Sequence, residues 1–242
     1  MQITVVVPTF NRALQLKQCL ESLTVQSLAI TDYEVIVVDD GSTDNTSTEY
    51  SKLKLPLSFR YLKQNHAGSS AARNRGAKEA RSKILLFFDD DVVADKNLLS
   101  AHLEAHKKWE HASVLGVTPF ADDLPRTPII EYHRTRWDNI FKTTDSFQNS
   151  GEVPFNYFIT LNLSVMKSDF ETTGPFNTAF NAAFEDTELG LRFTQAGIPL
   201  RFCKDALAWH RPILTAQSLT ERKRQDGYRA GLYYRAHPDN KA

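Results

Sequence analysis

Apolar positions along the chain follow two rhythms. Short unbroken runs, Ile3 to Val7 (ITVVV), Tyr33 to Val38 (YEVIVV) and Ile84 to Phe88 (ILLFF), alternate with stretches where apolar residues recur every three or four positions. Runs of the first kind fit strands buried on both faces of a parallel sheet, and the second kind fits amphipathic helices. Leu14, Leu16, Cys19, Leu20 and Leu23 predict the first helix, and Asp44 and Thr46 start a short second one. Residues 57–62 read as extended, 64–70 as a polar loop and 71–81 as a helix. Within the stretch 83–93, the run Ile84 to Phe88 reads as a buried strand with three aspartates at its C-terminal end. Leu98, Leu99 and Leu103 predict a helix over 96–109, with Asp95 as its cap. A strand follows at 114–118. Residues 119–151 are polar and aromatic, and read as an irregular lid or acceptor-facing insertion. Strand-like composition returns at 155–165. A turn follows at Gly174-Pro175-Phe176, a helix at 184–195, and two short extended pieces at 200–202 and 206–211.

Strand and helix in alternation with short connections predict an α/β fold with a mostly parallel, Rossmann-like central sheet flanked by helices. The expected division is residues 1–118 as a nucleotide-binding half, 119–212 as an acceptor half, and 213–242 as a basic helical segment packed on the same domain. In that last segment Ser218 and Glu221 have capping-box spacing. Leu219, Tyr228, Leu232 and Tyr233 offer an apolar side.

Composition narrows the function. Across 242 residues, 29 basic side chains balance 29 acidic ones, so no global field favours nucleic acid. The two cysteines, Cys19 and Cys203, lack metal spacing and read as reduced core thiols, consistent with the cytosol. No run approaches the length of a membrane span. The tail, with seven basic residues against three acidic ones from Arg211 onward, offers a peripheral contact with the inner face of the plasma membrane. The first turn, Pro8-Thr9-Phe10-Asn11-Arg12, has no Gly-x-Gly-x-x-Gly, and no Walker loop occurs, which argues against a dehydrogenase or ATPase.

The chemistry centres on Asp89, Asp90 and Asp91 at a strand end, where open α/β sheets place ligands. In an extended chain Asp89 and Asp91 would share a face, and two crowded carboxylates are costly unless a cation such as Mg²⁺ or Mn²⁺ joins them. The same residues also serve elsewhere as turn formers and helix caps.

Five pieces, in one order, resemble the family 2 glycosyltransferases. They are Val5 to Arg12, Val37 to Ser42, Asn65 to Gly76 (NHAGSSAARNRG), Phe88-Asp89-Asp90-Asp91 and Phe184 to Arg192 (FEDTELGLR). The resemblance implies a GT-A fold and inverting transfer of one sugar from a nucleoside-diphosphate donor, UDP first among them. The acceptor would be a glycan or lipid-linked hydroxyl, and the cofactor Mn²⁺ or Mg²⁺. It places Pro8, Thr9, Asn11, Arg12, Asp39, Asp40, Arg73, Asp89 and Asp90 around the nucleotide. Asp40 would accept from the base, a role open equally to Asp39, which could instead cap its strand. Asp91, with Asp89, would hold the metal, and His210 would either join them or be structural. Asp186 would be the general base, kept ionised by the helix start, with Glu185 orienting the acceptor. Gly68 and Gly76 would allow close backbone approach to the nucleotide. Two departures stand out. Asn177 and Thr178 follow Phe176 where relatives often carry acids, and the Gln-x-x-Arg-Trp pattern of processive synthases is absent.

Two alternatives accompany this reading. Asp89-Asp90-Asp91-Val92-Val93 satisfies the Asp-x-Asp-x-Val motif of haloacid-dehalogenase-like phosphatases, in which the first Asp is the nucleophile. That family carries the motif on its first strand, and here it falls mid-chain. The other alternative is a nucleotide-sugar-binding protein without catalysis on the same fold.

Overall fold

In the computed structural model of the chain, the described residues are 1–56, 58–146, 153–180 and 183–239; side chains at 143–146 are not described. Eight strands form one curled sheet in the order β3-β2-β1-β4-β7-β6-β8-β5. β1 (Ile3–Thr9) lies between β2 (Tyr33–Asp39) and β4 (Ile84–Phe88), parallel to both, and β3 (Phe59–Lys63) extends this parallel half. β7 (Asn162–Met166) runs antiparallel to β4 and to β6 (Ser113–Val117). β8 (Leu200–His210) is parallel to β6 and antiparallel to β5 (Val92–Ala94).

The uninterrupted apolar runs are explained by two cores. On one face Val5, Val7, Val35, Val37, Leu86 and Phe88 pack against α1 (Ala13–Thr24) and α4 (Leu98–Lys108). On the other, the alternating partners Val6, Ile36, Val38, Leu85 and Phe87 pack against α3 (Ser69–Glu79), α6 (Lys167–Thr173) and α7 (Glu185–Gln195). Each such side chain contributes about 1.5–3 kcal/mol of burial.

Several expectations are corrected. The strand expected at 84–88 is β4, and a further short strand, not expected, follows the aspartates. After Phe88 the chain turns through the aspartates, and Val92–Ala94 leaves to pair with β8 at the far edge. The segment expected to be irregular is largely a helix, α5 (Pro128–Ser146), whose Ile130 is buried and whose Trp137 and Phe141 pack inward at helical spacing. The rest of the expected lid, 147–151, lies outside the described residues. Of the strand-like stretch 155–165, Phe155–Tyr157 is a single helical turn, and only the later part joins the sheet. The two pieces expected at 200–202 and 206–211 are one strand, bridged by an irregularity opposite Gly116/Val117. Asp95 does not cap α4, because Asn97 holds that position and donates its backbone N–H to the Asp95 carboxylate at 2.8 Å. α2 is Thr46–Lys52. α8 (Ala216–Ala236) is capped by Thr215 with Ser218, not by Ser218 with Glu221. Its Tyr233 is buried, whereas Tyr228 is 67% exposed. No described helix is long and apolar enough to cross a membrane.

Polar groups bind α4 to the sheet. Nε2 of His102 lies 2.9 Å from Asn162 Oδ1, and Ser164 Oγ lies 2.8 Å from both His102 Nδ1 and His106 Nε2. Asn162 Nδ2 donates in turn to the Ala206 carbonyl of β8 at 2.9 Å. Gly116 leaves room for this amide, since a Cβ there would sit 2.2 Å from Asn162 Nδ2.

Burial lowers the pKa of His102 to about 4, and burial followed by repulsion from His102 lowers that of His106 to about 3. Both are therefore neutral in the fold. The unfolded chain takes up these protons near pH 6.5, so this stability is present above that pH and is lost as the pH falls towards 4. His102 alone accounts for a loss of about 2 kcal/mol between pH 7.5 and 5. Urea unfolding at the two pH values measures this. His102→Gln is expected to be less stable at pH 7.5 but to lose less on acidification than the native chain, and an equal loss in both would place the acid sensitivity elsewhere.

Candidate active site

The chemistry-bearing residues gather where β1, β2 and β4 end. Thr9 closes β1, and its hydroxyl donates to Asp90 Oδ2 at 2.7 Å. Arg12, just before α1, donates through Nη1 to Asp90 Oδ1 at 2.9 Å and to Asp91 Oδ2 at 3.0 Å. The turn after β4 thus divides the acidic triplet. Asp90 and Asp91 face Arg12, while Asp89 turns to Arg73, whose Nη2 donates to its Oδ1 at 2.7 Å. The expectation that Asp89 and Asp91 share one face of an extended chain is overturned by this turn.

Burial pushes the pKa of Asp90 up despite Arg12, with Asp91 adding to the rise. Asp91 goes the other way. Burial alone would raise it, but His210 and then Arg12 and Arg222 hold its carboxyl well below the usual range. His210 ends β8 with Nε2 3.5 Å from Asp91 Oδ1. Its ring lies against Phe120 and Trp137, with centroids 5.1 and 5.5 Å away. Trp137 is fixed in turn by donating to the Thr118 carbonyl.

Arg73 is the hinge of the arrangement. It projects from α3, is 5% exposed, and lies with Nη1 3.5 Å from Glu185 Oε1 while holding Asp89. Burial would lower its pKa, but Asp89, Asp186 and Glu185 together raise it, so the guanidinium stays charged. Glu185 and Asp186 open α7 behind Phe184, a residue in the left-handed region at φ 68°. Asp186 accepts from the Thr160 hydroxyl at 2.7 Å and from the Thr160 backbone N–H at 3.1 Å. The expected depression of Asp186 by the helix start does not prevail. Burial raises it, against Arg73 and the Thr160 hydrogen bonds, and burial with the neighbouring Asp186 raises Glu185. A carboxylate of raised pKa is the stronger proton acceptor.

Other expected residues have different surroundings. Pro8 lies inside β1, buried and in register with Val38. Asn11, at φ 54°, accepts from the Thr43 and Asp44 backbone N–H groups and so shapes that loop. Asp39 accepts from Ser42 N at 2.7 Å and from the Tyr61 hydroxyl at 2.6 Å, which is the capping alternative. Asp40 is engaged by its own loop. It accepts from Gln64 Nε2, Ala67 N and Gly68 N, and His66 Nδ1 lies 2.8 Å from Oδ2. Three hydrogen bonds thus tie the carboxylate to residues 64–68. Gly76 serves helix packing rather than a ligand, since a Cβ there would meet Val6 Cγ1 at 2.3 Å. Gly68 stands at the cap of α3 with φ 92°.

Three contributors escape sequence reasoning. Thr160 orients Asp186 across 26 residues of chain. Phe10, 39% exposed, stacks on His66 with ring centroids 4.3 Å apart, beside the Asp40 loop. Trp137 backs His210. Only Phe10 left a signal, as an apolar residue in an otherwise polar turn.

Among the described residues, no three His, Cys, Asp or Glu side chains converge as a metal-binding group. Asp91 Oδ1 and His210 Nδ1 are nonetheless buried without a hydrogen-bond partner. The nitrogen that faces Asp91 Oδ1 is Nε2, at 3.5 Å, and a carboxylate oxygen with an imidazole nitrogen beside it is the ligand chemistry a divalent cation would use.

The family model for Glycosyl transferase family 2 matches residues 4–161, which takes in Thr9, the acidic triplet and Thr160 but ends before α7. Validoxylamine A glucosyltransferase of Streptomyces hygroscopicus is 32% identical over 84% of this chain and 54% of its own. The chain thus spans about half the length of that relative. Among solved structures, the mannosyltransferase PcManGT of Pyrobaculum calidifontis, in complex with GDP-Man and Mn²⁺, superposes with a TM-score of 0.74 at 19% identity. It covers all of this chain and 65% of its own. TarS 1-349 of S. aureus in complex with UDP-GlcNAc gives 0.67 at 18% identity, over 89% of this chain and 60% of its own. These likenesses show a GT-A fold.

Removing the Thr160 hydroxyl takes away a hydrogen bond that favours the ionised form of Asp186. Thr160→Val is therefore expected to move the Asp186 titration midpoint upward, read from its carboxyl ¹³C shift. An unchanged or lower midpoint would remove Thr160 from this role.

Proposed function

The chain belongs to glycosyl transferase family 2, and on that premise we propose that it moves one sugar from a nucleoside-diphosphate donor to an acceptor hydroxyl with inversion. The carrying observation is the Arg73 bridge. One buried guanidinium joins Asp89, at the donor end of the sheet, to the Glu185–Asp186 start of α7. This brings a carboxylate of raised pKa to the mouth of the strand ends where a diphosphate would lie.

In this reading Asp186 takes the proton of the acceptor hydroxyl as its oxygen attacks the anomeric carbon. The bond from that carbon to the diphosphate oxygen breaks on the opposite face, and the nucleoside diphosphate leaves with the electron pair. Thr160 holds Asp186 in orientation, and Glu185 faces the acceptor. Asp89 meets the donor ribose while anchored by Arg73. The exposed Phe10–His66 stack offers the base a flat surface beside Asp40. UDP is the preferred nucleotide. Asp91 and His210 would hold Mn²⁺ or Mg²⁺, which offsets diphosphate charge when bound. The acceptor is a glycan or lipid-linked hydroxyl, and the outward basic face of α8, with Arg224 and Arg235, is the surface offered to an anionic membrane. Family membership removes the phosphatase alternative.

Two substitutions test the assignment. Asp186→Asn is expected to lower transfer by at least about 10²-fold, as loss of a general base does, while UDP affinity by calorimetry changes little. Near-native transfer in that variant would sink the base assignment. Asp91→Ala is expected to abolish the gain in UDP affinity that Mn²⁺ gives the native chain, and an undiminished Mn²⁺ effect would take Asp91 out of the metal site.

A further inference from the structure

α8 is docked on the rest of the chain through its C-terminal end. Tyr233 is its one buried side chain, whereas Leu219, Asp226 and Arg229 are half-buried and Tyr228 faces solvent. The ring centroid of Tyr233 lies 5.2 Å from that of Phe184, 6.1 Å from Phe180 and 5.0 Å from His237. Tyr234 brings a second ring to Phe184 at 6.3 Å. Arg229, one helical turn before Tyr233, donates to the Ala179 carbonyl.

What α8 grips is the entry to the Glu185–Asp186 pair. Phe184 immediately precedes them and holds φ 68°. A bulky aromatic residue keeps a left-handed backbone only where its surroundings hold it there. The Phe184 carbonyl accepts from Glu188 N at 2.9 Å, so the same residue closes the first turn of α7. The two carboxylates are tied at their tips, Glu185 to Arg73 and Asp186 to Thr160. Those ties leave the backbone that carries them to Phe184. A change of dihedral angle at Phe184 would swing the first turn of α7 and take both carboxylates with it.

We infer that Tyr233 is a positioning residue for Asp186, holding Phe184 in its left-handed conformation and so aiming the base from the C-terminal helix. This rests on the reading of Asp186 as general base, and it gives α8, which lies beyond the residues matched by the family model, a part in the chemistry. The ring carries the role. Tyr233 Oη is buried with no hydrogen-bond partner among the described residues, so phenylalanine would keep the contacts to Phe184, Phe180 and His237.

The test compares the native chain with Tyr233→Ala, Tyr233→Phe, Tyr228→Ala and Asp186→Asn. Hydrogen exchange by NMR reads the Thr160 amide, which donates to Asp186 Oδ2, and the Glu188 amide, which donates to Phe184. Release of nucleoside diphosphate from UDP-glucose, UDP-N-acetylglucosamine and GDP-mannose, with Mn²⁺ and with water as acceptor, reads turnover. Tyr233→Ala is expected to speed exchange at Thr160 and Glu188 about 10-fold while the amides of β1 keep their native rates. Its kcat should fall about 10- to 100-fold, the order that misplacing a catalytic group costs, with the donor KM unchanged. Tyr233→Phe and Tyr228→Ala should behave as native. Should Tyr233→Ala fail to fold, Tyr233→Leu, which keeps an apolar anchor without the flat ring, is read in its place for the same changes. Native exchange at Thr160 and Glu188 in the ring-deleted variant, faster exchange spread evenly over β1, or an equal loss of kcat in Tyr233→Phe would overturn the role of Tyr233 and leave the base assignment standing. Full turnover by Asp186→Asn, or release from none of the three donors by the native chain, would overturn the reading of the site and this inference together.

Discussion

A single buried cation connects the two halves of the site. Arg73 sits on α3, Asp89 ends β4, and Glu185 opens α7 some hundred residues later, yet one guanidinium reaches both carboxylates. Removing one partner from a buried ionic contact costs about 3–5 kcal/mol, because the remaining charge is stranded. The register of α3 on the sheet therefore sets the distance between donor end and base end. Gly76 fixes that register by letting the helix backbone approach Val6, where any Cβ would collide. Packing in the core and chemistry at the strand ends are in this sense one constraint.

Division of the acidic triplet follows from the same economy of charge. Three adjacent carboxylates cannot all stay ionised and buried without partners. The turn after Phe88 sends Asp89 to Arg73 and leaves Asp90 and Asp91 with Arg12, and His210 arrives from β8 to oppose Asp91. Asp90, flanked by Asp91, is the member whose charge is least favoured. The β5 strand enables this sorting, because its departure to the far edge of the sheet forces the turn.

The parts of this architecture that were legible in the sequence are those where a local pattern has one solution. β1, β2 and β4 read as doubly buried strands because each is apolar on both faces, and α1 and α4 showed their inward stripes. α5 escaped because its inward residues, Ile130, Trp137 and Phe141, are separated by charged and polar positions that read as loop. β5 escaped because Val92–Ala94 is only three residues long and is made a strand by its pairing with β8. In the site, the carboxylates Asp89, Asp91 and Asp186 and the cations Arg12 and Arg73 were visible, whereas their pairing was not. That Thr160 would orient Asp186, or that Asp40 would be tied to residues 64–68, depends on which loops the fold brings together. Local periodicity carries no record of that.

The electrostatic state of the site bears on the order in which ligands help one another. Asp91 Oδ1 is buried with His210 Nε2 3.5 Å away and no hydrogen-bond partner, so room remains for a cation to join it. A diphosphate brought to the same strand ends adds negative charge that Arg12, already paired with two aspartates, does not offset alone. On the proposed reading, cation and diphosphate therefore each supply what the other lacks. Any factor by which Mn²⁺ strengthens nucleotide binding must appear equally in the strengthening of Mn²⁺ binding by the nucleotide. On that reading the site would favour the pair over either ligand alone.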